Sequence, residues 1–93
     1  MPLEIVWSPL ALTRLREIRA YLAMEKPEAA ARLAIRIVTV IEALREYPYL
    51  GRAGIEPEIR ELPIGGTPYI VLYRIKDERV IISTIWHGAQ QRD

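Results

Sequence analysis

Tyr69 to Ile75 and Val80 to Trp86 are two nearly unbroken apolar runs, rich in β-branched and aromatic residues. Only Lys76-Asp77-Glu78-Arg79 separates them. Runs of this length on either side of a short polar turn read as a β-hairpin. Apolar residues on both alternating faces suit strands covered on both sides, or nearly so. Such a hairpin belongs at the centre of a sheet, and the rest of the chain must pack on it. Past Trp86 the polarity changes at once, to His87-Gly88-Ala89-Gln90-Gln91-Arg92. A polar tail leaving a central strand is the first place to look for function.

The preceding chain supplies what packs on the hairpin. Pro2 to Trp7 alternates, with Leu3, Ile5 and Trp7 on one face and the charged Glu4 on the other, as in an edge strand. Ser8-Pro9 opens a helix, the serine as cap and the proline at the first helical position. Ala11, Leu15, Ile18 and Leu22 form its apolar stripe, which fades at Met24-Glu25-Lys26. Pro27 starts a second helix with Glu28 in its first turn. Its inner stripe is Ala30, Leu33, Ile37, Ile41 and Leu44, widened by Ile35, Val38 and Val40. Tyr47-Pro48 ends it, because a residue before proline is pushed out of the α region. Tyr49 to Gly54 reads as a loop, Ile59 to Pro63 as a short strand, and Gly65 to Pro68 as a turn. The order is β-α-α-β-β-β. One α+β domain over residues 1–93 is expected, with an N-terminal helical hairpin packed on a small, mainly antiparallel sheet.

Ninety-three residues suffice for one small core, burying roughly 60–68% of the unfolded surface. The absence of cysteine removes disulfides and thiolate chemistry. No basic leader segment and no apolar run of membrane length occurs, so the cytoplasm is the expected compartment and no membrane contact is expected. Formal net charge is +1, and neither half is a basic block: residues 1–50 hold seven Lys/Arg and six Asp/Glu, residues 51–93 six of each. A protein that lives on nucleic-acid phosphates usually shows a basic excess or stripe.

A few polar residues stand out. His87, the only histidine, leaves the central strand beside Trp86. It is either a half-buried ring bonded to a backbone carbonyl or a functional group. One histidine without cysteine or clustered carboxylates is too few ligands for a metal, and no cofactor motif occurs. Arg60 and its neighbour Glu61 point to opposite faces of their strand, and Arg60 belongs either to the surface or to the concave face. Arg74 shares a face with Ile70 and Leu72, and there it must reach a partner or the open face of the sheet. Lys26 and Lys76, the only lysines, fall in turns on this reading. Trp7 and Trp86 read as core, and Tyr47 and Tyr49 as packing for the connector. If the sheet covers one side of the second helix, its widened apolar flank is left for a partner.

The chain resembles the RelE/ParE superfamily of toxins from type II toxin–antitoxin systems over nearly its whole length. The resemblance rests on Trp7-Ser8-Pro9, Pro27-Glu28-Ala29-Ala30, Leu44, Tyr47-Pro48, Gly51-Arg52 and Arg60-Glu61-Leu62. It continues through Gly66-Thr67-Pro68-Tyr69-Ile70-Val71, Tyr73-Arg74 and Trp86-His87-Gly88-Ala89-Gln90. It implies a small ParD- or RelB-like antitoxin whose disordered tail folds onto the toxin. The implied docking surface includes Leu33, Ile37, Val40, Ile41 and Leu44 of the second helix, Arg74, and a sheet edge. Two targets divide the superfamily. RelE-like members cut mRNA in the ribosomal A site with arginines and lysines on the sheet face; ParE-like members inhibit DNA gyrase.

Here Ile70 follows Tyr69 where RelE-like toxins often carry an arginine, and an isoleucine cannot hold a phosphate. With the scarcity of lysine and the near-neutral charge, this favours the ParE-like reading, in which His87, Gln90 and Arg92 are the candidate target contacts. The alternative nuclease would use His87 as general acid or base, with Arg60 and Arg74 stabilising the phosphate. A third reading is a degenerate toxin that retains only antitoxin binding; it would leave growing cells unharmed. His87→Ala tests the nuclease reading: growth arrest that persists unchanged in cells expressing the variant removes that reading's only proton carrier.

Overall fold

The computed structural model describes residues 2–88. Its centre is the expected hairpin, β4 (Tyr69–Lys76) and β5 (Arg79–His87). The turn between them is tighter than the sequence suggested. Lys76 pairs with Arg79, and only Asp77 and Glu78 form the connection, both left-handed with φ of 52° and 61°. Two consecutive left-handed residues match the twist of the strands they join. Lys76 therefore belongs to a strand and not to a turn.

Around the hairpin lie β1 (Glu4–Trp7), α1 (Pro9–Ala23), α2 (Pro27–Glu42) with a 3-10 turn at Ala43–Arg45, β2 (Arg52–Ala53) and β3 (Arg60–Pro63). The sheet order is β1-β5-β4-β3-β2, antiparallel except for the parallel β1–β5 pair. The edge position of β1 agrees with its charged face. The two-residue β2 falls in what reads as loop, too short to carry a periodic signal. Neither helix is long and apolar enough to cross a membrane.

Ser8 joins strand and helix as its sequence position implies. Its hydroxyl accepts from the Ala11 amide at 3.0 Å and donates to the Ser83 carbonyl at 2.7 Å. Leu72 faces Thr84 while Tyr73 faces Ile82, so Ser83 is the extra residue of a bulge in β5. The bulge turns a backbone carbonyl toward the start of α1 and helps seat that helix on β5. Ala11, Ile37 and Ile41 of α2, and Leu44 of the 3-10 turn then close over Val71, Tyr73, Val80, Ile82 and Ile85.

Tyr73 is the largest fully buried side chain. Its hydroxyl donates to the Pro48 carbonyl at 2.7 Å and accepts from the Gly51 amide at 2.8 Å. A tyrosine inside an apolar strand needs such partners, and they come from the connector that follows α2. Gly51 has to be glycine: a Cβ there would lie 2.7 Å from the ring and from the hydroxyl of Tyr73.

Tyr73→Phe strands the buried Gly51 amide and the half-buried Pro48 carbonyl and is expected to cost about 1–3 kcal/mol in urea denaturation. Burial, opposed in part by the Gly51 amide and the Arg60 charge, raises the Tyr73 phenol above its ordinary 10.0. The folded state therefore holds this proton more tightly than the unfolded chain. Its contribution is complete below pH 10 and is lost as pH rises further. Melting temperatures taken at increasing alkaline pH should fall more steeply for the natural chain than for Tyr73→Phe.

Candidate functional site

Strand alternation distributes the polar candidates. Val71 and Tyr73 face the helices, so Ile70, Leu72 and Arg74 face away. His87 pairs with Tyr69 and lies on the helix side. The two rings meet edge-on, with centroids 5.4 Å apart and planes at 87°. Around them Ile85 and the α1 residues Arg14, Glu17, Ile18 and Tyr21 line a groove of about 540 Å³. Arg14 and Glu17 pair with each other at 2.9 Å.

Arg74 stands at the other end of the strand. It is five residues along β4 from the partner of His87, about 17 Å at the rise of an extended chain, and on the opposite face. Arg60 pairs with Tyr73, roughly 13 Å along β4 from Tyr69. Its guanidinium donates to the Gly51 carbonyl at 2.7 Å and stacks on Tyr49 at 4.7 Å. A proton carrier has to come within about 3 Å of the group it serves. His87 and the two arginines line separate grooves. Gln90 and Arg92, the other candidate target contacts, lie outside the described residues.

The structure does bring Arg60 and Arg74 together with a third cation. With Tyr49, Glu58, Ile75 and Lys76 they line a cleft of about 330 Å³. Tyr49 enters because the Tyr73 hydroxyl holds the connector on both sides of it. Sequence reading missed this cleft because it placed Lys76 in the turn and Tyr49 in the packing of the loop. Glu61 was missed as well. Its carboxylate is buried at 4% exposure, on the face opposite the helices, and meets Arg52 at 3.3 Å. The signal for both was the spacing of charges along β3 and β4, which alternation alone does not assemble.

The second helix also divides differently from the expected docking set. Ile37, Ile41 and Leu44 are wholly buried in the core and offer no surface to a partner. A stripe at i, i+4, i+7 faces the sheet, and the sheet claims it first. Leu33 and Val40 pack partly against the core. The apolar surface left outside is Ile35, 66% exposed, and Val38, 38% exposed. Beside them Arg32, Ile35, Arg36, Thr39 and Val40 bound a shallow groove.

Comparison with known proteins places these surfaces in context. A family model described as the ParE toxin of the type II toxin–antitoxin system parDE matches residues 5–92. Y4kP of Sinorhizobium fredii, named as a toxin, is 47% identical over 88 residues, covering 95% of this chain and 91% of that protein. Toxin RelE2 of Caulobacter vibrioides is 38% identical over 87 residues, covering 94% and 97%. The solved chromosomal ParDE system of P. aeruginosa superposes with a TM-score of 0.84 at 23% identity, over 91% of this chain and 95% of that one. The RelBE2 toxin–antitoxin complex of Mycobacterium tuberculosis gives 0.63 at 21%, over 94% and 99%. At those identities the two structures speak for the fold.

The two faces of α2 should separate in a stability measurement. Ile37→Ala is expected to lose about 2–5 kcal/mol in urea denaturation, by transfer and cavity terms. Ile35→Ser, on the exposed flank, should stay within about 0.5 kcal/mol of the natural chain.

Proposed function

The chain belongs to the ParE family of toxins of type II toxin–antitoxin systems, and from that membership we propose that it inhibits DNA gyrase and is held inactive by a small antitoxin. The observation that carries the target half is the dispersal of the would-be nuclease set. His87 lies on the helix side at one end of β5, and Arg60 and Arg74 line a cleft at the far end of β4. Cutting an RNA phosphodiester needs a proton carrier and charge stabilisation around one phosphate. Binding a protein target has no such requirement. The substitution of Ile70 for a phosphate-holding arginine supports the same side.

The antitoxin half is supported by the family and by exposed apolar surface. Ile35 and Val38 on α2 and Tyr21 and Met24 at the end of α1 lie on the outside. An amphipathic helix laid on such a surface buries what water otherwise meets. The solved relatives named ParDE and RelBE2 are themselves toxin–antitoxin systems. Three relatives named RelE, from Caulobacter vibrioides, keep the ribosomal nuclease as the competing reading.

Supercoiling by purified gyrase tests the proposal. Addition of the full chain is expected to abolish supercoiling, and antitoxin to restore it. Full supercoiling at a large excess of folded protein, together with mRNA cleavage on programmed ribosomes, would replace gyrase with the ribosome.

A further inference from the structure

The sheet face away from the helices carries a second cleft, under the loop that joins β2 to β3. Leu72 and Trp86 face that side, since their neighbours Val71, Tyr73 and Ile85 face the helices. The loop folds back on itself through backbone bonds. The Gly54 amide donates to the Ile59 carbonyl at 2.8 Å, and the Ile59 amide to the Glu56 carbonyl at 3.1 Å. Ile55, Ile59, Leu72 and Trp86 then wall a space of about 330 Å³. Glu61, in register with Leu72, sets its carboxylate into this apolar wall at 4% exposure. Gly54 makes room for it: a Cβ there would lie 2.7 Å from the Ile59 carbonyl and 3.2 Å from Glu61 Oε2. Arg52 reaches Glu61 Oε1 at 3.3 Å, with 61% of its own side chain exposed. The exposed Glu56 adds a second carboxylate, and no cation stands among the described residues that line the space.

We propose that this cleft takes a single arginine side chain presented by the toxin's protein target, its guanidinium held by the Trp86 indole and the Glu61 carboxylate. The proposal deepens the target half of the proposed function and rests on it. The chemistry of the walls selects a guanidinium. A carboxylate accepts hydrogen bonds at about four sites, and one set in an apolar wall is screened little by water, so a cation brought to it is held strongly. A planar guanidinium forks onto carboxylate oxygens and stacks on an indole, whereas an ammonium has no plane to stack. The aliphatic stem of an arginine matches Ile55, Ile59 and Leu72. Two carboxylates with no cation between them repel a nucleic-acid phosphate. The rim selects a protein as the source of the arginine. Ile55 lines the cleft and is still 83% exposed, an apolar lip that a partner's surface covers and a free cation does not need.

Nuclear magnetic resonance titration of the isotope-labelled full chain, freed from antitoxin by denaturation and refolded, tests the cleft with acetyl-arginine methylamide. The Trp86 indole N–H signal is expected to shift, with a dissociation constant of about 1 mM for so small a probe, while the Trp7 signal stays in place. The citrulline analogue, which lacks the charge, should bind at least about 10-fold more weakly, and Glu61→Gln should weaken the arginine probe about 10- to 100-fold. If Glu61→Gln fails to refold, Ser83→Leu supplies the same comparison. It fills the cleft from β5 and keeps the backbone carbonyl that Ser8 uses. An unmoved Trp86 signal, or equal binding of the citrulline analogue, overturns the site. Agmatine bound about 100-fold more tightly than the capped arginine overturns a partner's side chain in favour of a free cation. Gyrase supercoiling tests the source. The concentration for half inhibition should rise about 10- to 100-fold in the variant that lost the probe, and equal inhibition by that variant overturns the target as the source of the arginine. A natural chain that leaves supercoiling intact overturns the gyrase reading and this source with it, while the titration still decides which ligand class the cleft takes.

Discussion

The Tyr73 side chain is fully buried, and its hydroxyl at the margin of the core needs partners there, because an unbonded buried polar group is costly. It is satisfied only because the chain after α2 bends back to place the Pro48 carbonyl and the Gly51 amide within 2.7 and 2.8 Å. That pair of bonds ties the connector to β4. It holds Tyr49 between the two anchored positions, and Tyr49 with the Gly51 carbonyl then holds Arg60. A buried polar atom thus sets the geometry of a surface cleft through a short chain of contacts.

A second anchor works at the opposite side of the sheet. The bulge at Ser83 releases a carbonyl that receives the Ser8 hydroxyl, while the same hydroxyl caps α1. The helix is therefore positioned by a backbone irregularity in the central strand as well as by its apolar stripe. Its Arg14, Glu17 and Tyr21 consequently stand over the end of β5, facing His87 across the groove.

These two anchors separate the polar residues into distinct regions. His87 is on the helix side at the tail end of the sheet. Arg60, Arg74 and Lys76 gather where β4 outruns β3, and the residual apolar surface of α2 lies on the far side of that helix. A toxin that works by holding partners can distribute its surfaces in this way. A toxin that works by chemistry has to concentrate them.

The central hairpin, the two helices with their proline starts, the serine cap and the edge strand β1 were all legible from residue order. Each follows from local periodicity or local capping, which neighbouring residues decide among themselves. The family resemblance was legible for the same reason, being carried by short stretches in a set order. What the tertiary structure alone decided involves partners distant in sequence. The turn contracted to Asp77-Glu78 because the strand pairing extends through Lys76 and Arg79. Ile37, Ile41 and Leu44 became core because the sheet covers that face of α2 completely, leaving Ile35 and Val38 outside. Arg60, Arg74 and Lys76 share a cleft because β4 runs three residues past the start of β3. Periodicity states which face a residue is on; which faces meet is settled by the packing of the whole chain.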